Sequence, residues 1–356
     1  MGPSGTGPWI LRVLVMVAAA SLVESPLRAQ GTQLYPAIEP NRTGELRVSE
    51  THAIYWESSG NEDGIPLIAL HGGPGGRSSP VIRRLFDPER YRIIQFDQRG
   101  AGKSRPFAEW RDNDTHHLME DIDRLRAHLG VSSPPVLFGL SWGTTLALAY
   151  AEARPAEVAG LVLLGVFTCT RSEIDHFYHG GVRRFYPDAW EMLRSAVPEP
   201  DELDYPKQLF EVITGPSPDA ADRAATLFVT YEEWLSNIGR SRADGEAEAA
   251  DPASRSMAVL ENHYLMNGCF LDEGQLLDRA SLIEDTPVFI GNGRLDMLTP
   301  PVTALKLAER LSNARVEIVA GAGHVDLPVA LAGVRGTDWV LDRLAENRGT
   351  SPGGTR

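Results

Sequence analysis

The sequence predicts an α/β fold, a mostly parallel central sheet with a helical cap inserted after the sixth strand. Three observations carry that expectation. Short apolar runs over 66–70, 91–96, 135–138 and 158–166 alternate with helix-like segments, and the first two end in glycine-rich loops. The same alternation returns near the C-terminus, with strands over 287–290 and 316–319, a helix over 302–311, and another through Trp339 and Leu344. Strands buried on both faces read as continuous apolar runs, and strands that alternate with helices pair in parallel. Between the two portions, residues 167–284 are richer in Trp, Tyr and helix-like segments and poor in β-branched runs. That change of grammar marks the inserted cap.

Taken in order, residues 13–23 form a short apolar stretch preceded by Arg12, with Ala29 as a small residue at a cleavage point. This is the pattern of a secretory signal peptide over 1–29, followed by a leader over 30–44. Cleavage implies a secreted or periplasmic protein. An over-extended start with an apolar tail is the alternative, and it implies a cytoplasmic one. Residues 45–58 read as a hairpin with Leu46, Val48, Ala53 and Tyr55 among its apolar positions. The segment 116–129 reads as a helix, because Leu118, Ile122, Leu125 and Leu129 recur at three- and four-residue spacing. The core therefore comprises 45–166 and 285–346, and the helical cap 167–284. Within the cap, 240–254 reads as a mobile loop, and 347–356 reads as a disordered tail.

The chain has 356 residues, of which 42% are hydrophobic, ample material for a buried core. No apolar run reaches the roughly 18–20 residues that span a bilayer, so no stable membrane insertion is expected once the leader is removed. The cap carries 22 Asp and Glu against 10 Lys and Arg, hence −12 of the net −14. That balance excludes nucleic acid as a partner, since phosphate binding needs a basic face. Cys169 and Cys269 are too few for a disulfide framework, and buried free thiols are the preferred reading over a pair. Nothing has metal-ligand spacing. The glycine run over 71–76 lacks the Gly-Lys-Ser/Thr ending of a phosphate loop. Gly102-Lys103-Ser104 has that ending without the earlier glycine, and reads as a structural loop beside the site.

The chemistry centres on Gly139-Leu140-Ser141-Trp142-Gly143, set between an apolar strand and a helix-like segment. In strand–turn–helix context this pattern is a nucleophile elbow. A serine nucleophile needs a base, an orienting acid and oxyanion donors. Asp296 follows the strand ending at Ile290, and His324 follows the strand ending at Val319. Acid and histidine thus come after the serine, each in a loop beyond a late strand. The oxyanion donors are the backbone N–H of Trp142 and that of Gly73, in the loop after an earlier strand.

HGGPGG at His71, DQRGAGKS at Asp97, GLSWGTTLALAY at Gly139 and GRLD at Gly293 together resemble the proline iminopeptidase family of α/β hydrolases. FYPDAWE at Phe185 and LENHYLMNG at Leu260 extend the resemblance into the cap, so that it covers 45–346. It implies an α/β-hydrolase fold, a triad of Ser141, Asp296 and His324, and no cofactor or metal. It also implies small peptides with a free N-terminus as substrates, cut through an acyl-enzyme to release the first residue, preferably proline. In that family two cap glutamates grip the α-ammonium. Phe228-Val229-Thr230-Tyr231-Glu232 resembles one context, with Glu233 as the rival, and Glu261-Asn262-His263-Tyr264-Leu265 resembles the other. Phe167, Tyr231 and Leu265 would line the apolar pocket. Phe228 and Tyr231 stand where the family has tryptophans, and Leu265 where it has phenylalanine, so the implied pocket is less aromatic. Two other readings stay open. A carboxylesterase or amidase on the same scaffold needs Ser141 but not the glutamates, and a non-catalytic binding protein needs neither.

Overall fold

The computed structural model describes residues 31–201 and 204–349, so the signal-peptide expectation lies outside the described residues. Eight strands form one sheet: β1 (Arg42–Arg47), β2 (Ala53–Gly60), β3 (Ile65–Leu70), β4 (Tyr91–Phe96), β5 (Val136–Leu140), β6 (Gly160–Leu164), β7 (Val288–Gly293) and β8 (Ala314–Val319). Their spatial order is β1-β2-β4-β3-β5-β6-β7-β8. The β1–β2 and β2–β4 pairs are antiparallel, and every other neighbouring pair is parallel. Side chains alternate across the strands. Ile68 and Leu70 of β3 enter the core cluster on one face, and Leu67 and Ala69 the cluster on the other.

The first helices are α1 (Pro80–Arg83), α2 (Thr115–Leu129) and α3 (Trp142–Ala153). Asp114 caps α2 by accepting the His117 N–H at 2.9 Å, and left-handed Gly130 ends it. Leu118, Ile122, Leu125 and Leu129 are all buried, as their spacing predicts. Each such side chain contributes about 1.5–3 kcal/mol by leaving water. Between β6 and β7 come α4 (Arg171–Tyr178), α5 (Val182–Phe185), α6 (Pro187–Arg194), α7 (Tyr205–Ile213), α8 (Pro218–Ser236), α9 (Arg242–Ala249), α10 (Arg255–Met266) and α11 (Gln275–Asp278). The chain then returns to the sheet and finishes with α12 (Pro301–Ala308) and α13 (Leu327–Gly349). Among the described residues, no helix is long and apolar enough to cross a membrane.

Three expectations are corrected. The stretch 240–254 is no mobile loop, because most of it forms α9. Ser241 and Asp244 make a reciprocal capping box at its start. Gly245 lets α9 sit on α8, since a Cβ there would lie 2.4 Å from the Thr230 carbonyl oxygen. The helix α13 runs to Gly349, so 347–349 are helical rather than part of a tail; the rest of the predicted tail lies outside the described residues. Cys169 and Cys269 form a disulfide, with Cα atoms 6.2 Å apart. They sit where the chain leaves β6 and where it leaves α10, so folding brings together two thiols 100 residues apart in sequence.

Candidate active site

Ser141 occupies the turn from β5 into α3 with φ 55° and ψ −125°. Positive φ is uncommon for a residue with a Cβ, and such strain persists only when its surroundings over-determine it. Here the Ser141 N–H donates to Leu164 O at 2.8 Å, and the Thr144 N–H donates to Ser141 O at 2.8 Å. The flanking glycines supply space. A Cβ on Gly139 would lie 2.4 Å from Gly143 O, and one on Gly143 would lie 2.1 Å from Leu70 O. Trp142 is the first residue of α3, whose leading N–H groups have no partner inside the helix.

Asp296 and His324 meet where the loops after β7 and β8 converge. His324 Nδ1 lies 2.7 Å from Asp296 Oδ2, and both side chains are buried. The carboxylate is held from several sides. Its Oδ1 accepts the N–H groups of Leu298 and Thr299 at 3.0 and 2.8 Å, and Oδ2 accepts the Thr299 hydroxyl at 2.9 Å. The imidazole approaches the strand next to Ser141's own at Gly165, just past β6, where a Cβ would lie 2.8 Å from His324 Cε1. Leu164, one residue earlier, is the residue that holds the Ser141 N–H. Burial works against the imidazolium, but the Asp296 charge and hydrogen bond, helped by Glu232 and Glu233, outweigh it. The His324 pKa is therefore raised above the ordinary imidazole value.

Gly73 stands at φ 107° in the loop after β3, a conformation that suits glycine. Gln98 braces this loop. Its N–H donates to His71 Nε2 and its side-chain amide to His71 O, both at 3.0 Å. Its Oε1 accepts Trp142 Nε1–H at 2.9 Å, so one glutamine ties Trp142 to the loop that carries Gly73. Asp97, beside Gln98 in the loop after β4, accepts from Ser78 and the Lys103 N–H, a structural role in line with the sequence reading.

One pocket, about 390 Å³ with its mouth included, gathers Gly73, Ser141, Phe167, Glu232, Glu261 and Leu265. The choice between neighbouring glutamates is made by helix rotation, since successive residues lie about 100° apart. Glu232 faces the pocket, while Glu233 turns to an ion pair with Arg240 at 2.6 Å. The same rotation corrects the placement of Tyr231. It does not line the pocket but lies behind it, donating its hydroxyl to Phe177 O at 2.7 Å and packing on the Phe177 ring. Phe177 supplies the aromatic surface in its place.

Glu232 and Glu261 are neighbours in the pocket, and Oε2 of each is enclosed without a hydrogen-bond partner. Burial raises both pKa values, with repulsion from Glu233 adding to it at Glu232 and repulsion from Glu232 adding to it at Glu261. Glu232, with Glu233 adding to burial, is pushed up to about 7, and Glu261 goes well above the usual carboxylate range. Buried polar atoms are nearly always paired, so two orphaned acceptors in one pocket are a place for a cation. Among the described residues, no group of His, Cys, Asp and Glu could hold a metal ion.

Sequence reasoning missed Glu173, Ile174, Phe177, Leu298 and Thr299, all in the pocket wall. Glu173 left a trace, because Thr170-x-x-Glu173 is a capping-box pattern at the start of α4. Its carboxylate is saturated by the hydroxyls of Thr168, Thr170 and Thr303, each at 2.8 Å, and so fastens the loop after β6 to α12.

A family model described as the alpha/beta hydrolase fold matches residues 65–330. The chain is 42% identical to a proline iminopeptidase of Arabidopsis thaliana, over 82% of this chain and 77% of that protein. It is 41% identical to a proline iminopeptidase of Xanthomonas citri, over 82% of this chain and 93% of that protein. The chain belongs to the proline iminopeptidase family of α/β hydrolases. Among solved structures, a haloalkane dehalogenase loop variant from Bradyrhizobium elkanii superposes with a TM-score of 0.60 at 19% identity, covering 87% of this chain and 99% of that one. At that identity the likeness speaks to the fold alone.

Proposed function

We propose that the protein is a serine exopeptidase that releases an N-terminal residue, preferably proline, from peptides. The observation that carries this reading is the pair of orphaned carboxyl oxygens on Glu232 and Glu261 in the pocket that also holds Ser141. A substrate ammonium satisfies both, and a charge-assisted hydrogen bond contributes about 1.5–3 kcal/mol. Because the amine is held at a set distance from Ser141, only the first peptide bond comes within reach. Phe167, Phe177 and Leu265 offer apolar surface to the ring of the first residue.

The reaction follows from the arrangement. Ser141 Oγ attacks the carbonyl carbon while His324 takes its proton, and Asp296 holds the Nδ1–H so that Nε2 serves as base. The Gly73 and Trp142 N–H groups meet the oxyanion, each contributing about 3 kcal/mol. The imidazolium returns its proton to the leaving amine, and water then cleaves the acyl-enzyme by the same steps. The test compares a prolyl arylamide, its N-acetyl form and a short acyl ester. Turnover of the free-amine substrate, abolished by acetylation and by Ser141→Ala, is the expected result. Ester turnover without amine preference would instead favour the carboxylesterase reading.

We further propose export to an oxidising compartment, supported by the apolar leader and by the Cys169–Cys269 disulfide, a bond rare in the cytosol. Mass spectrometry of the protein in its native host should find a mature N-terminus near Gln30. Recovery of the intact chain from the cytosol would defeat the proposal.

A further inference from the structure

The helix α10 touches more of the site than its two pocket residues, Glu261 and Leu265, require. Glu261, near its middle, lines the pocket. In its first turn, Ser256 is fully buried, and its hydroxyl lies within donating distance of Gly75 O at 2.8 Å, in the same loop as Gly73, and of Ala253 O at 2.9 Å. The contact is close, for a Cβ on Gly75 would lie 2.4 Å from Ser256 O and 2.8 Å from Met257 Cα. Near the other end, the Tyr264 ring packs edge-on against the Trp142 ring with centroids 4.7 Å apart. Tyr264 is itself fixed, since its hydroxyl donates to Asn113 Oδ1 at 2.8 Å. Eight residues of helix separate Ser256 from Tyr264, a span of about 12 Å.

One rigid cap element thus contacts the loop of Gly73, the side chain of Trp142 and, through Glu261, the place where a substrate ammonium would sit. The core side of the hole has its own brace in Gln98, which binds His71 and Trp142. Among the described residues, the side-chain hydrogen bond to Gly75 comes from the cap serine and none comes from the core. We propose that α10 is a strut that sets the oxyanion hole in register with the ammonium grip, with Ser256 as the positioning residue for the Gly73 loop and Tyr264 as that for Trp142. The inference rests on the proposed reading of Ser141, Gly73 and Trp142. The hole is then complete only while the cap is seated, and the distance from Glu261 to the oxyanion donors is fixed within one helix instead of across a hinge.

Ser256 offers the cleaner test, because removing its hydroxyl frees the loop without touching a pocket residue. Ser256→Ala should lower kcat about tenfold to a hundredfold on a prolyl arylamide and on a short neutral ester alike, with KM little changed. Prolinal, whose carbonyl carbon accepts the Ser141 oxygen and whose carbonyl oxygen becomes the oxyanion, should bind more weakly by the same factor. Prolinol, which carries the ammonium and no carbonyl, should keep its affinity. Ser256→Cys retains the size and a weak donor, so its kcat should fall between the two, and it carries the comparison if the alanine variant does not fold. Unchanged kcat and prolinal affinity would overturn the proposal, as would a loss confined to KM for amines and to prolinol. The ester arm needs no ammonium. If prolyl arylamides are not cleaved at all, the proposed function fails, while an ester kcat that drops in the Ser256 variants still supports the strut.

Discussion

Replacing Glu261 by glutamine should weaken amine binding and, at alkaline pH, make the free protein more stable. The reasoning starts from the carboxyl pair. Burial and the Glu233 charge raise Glu232 from 4.5 to about 7, and burial and the Glu232 charge raise Glu261 well above the usual carboxylate range. A displacement of that size corresponds to a free energy on the order of 3 kcal/mol between protonation states. For an acid whose folded pKa is raised, the folded state binds the proton more tightly than the unfolded state. Its contribution to stability is therefore full below about 4.5 and is lost as pH rises through about 7. At pH 8 the empty pocket holds charge it cannot neutralise, and at pH 5 it does not. Glu261→Gln removes one charge and leaves the shape, so Tm at pH 8 should rise by a few degrees relative to wild type, with little change at pH 5. Losing a charge-assisted bond of about 1.5–3 kcal/mol should raise KM for a prolyl arylamide roughly ten- to a hundredfold and leave a neutral ester nearly untouched. Differential scanning fluorimetry at the two pH values, paired with kinetics on both substrates, reads all of this. An equal fall in Tm at pH 5 and pH 8 would refute the reasoning, since it would mark Glu261 as a structural bond and not as an unpaired charge awaiting a cation.

Measured on a neutral ester, where the glutamates take no part, kcat should fall on acidification with a midpoint above 6.5, because the Asp296 contact raises the His324 pKa and only neutral imidazole is a base; a rate that stays flat down to pH 5 would exclude this base. Cys169→Ser or Cys269→Ser should cost about 2–5 kcal/mol, because the bond closes a long loop that includes the helices α4–α10. Limited proteolysis should then cut first between β6 and β7, and cleavage confined to the α/β core would contradict the bond's role as a cap staple.

Much of the site was legible because its signals are local. The elbow around Ser141 is a five-residue pattern whose glycines are demanded by clashes at 2.4 and 2.1 Å within the turn and with the adjacent strand. Asp296 and His324 follow from counting strands, since residues beyond the carboxyl ends of parallel strands gather at one edge of the sheet. The helix α2 follows from its apolar spacing and from Asp114 and Gly130 at its ends. The segment α9 carries a local signal too, the Ser241–Asp244 box, but its Ala-, Glu- and Asp-rich composition resembles that of a solvated loop.

What the sequence by itself determined is the order of elements, the candidate site residues Ser141, Asp296 and His324, and the two cap segments that bear the glutamates. Tertiary structure decided everything that depends on which face of an element meets which neighbour. Glu232 and Glu233 are adjacent in sequence, and only the rotation of α8 against the core sends the first to the pocket and the second to Arg240. That rotation also withdraws Tyr231 and brings Phe177 forward from a different helix. Cys169 and Cys269 pair because packing brings the exit of β6 beside the exit of α10, a proximity that no count of cysteines contains. Short-range rules of spacing, capping and turn sterics act along the chain, whereas these contacts exist only once distant surfaces have been buried against one another.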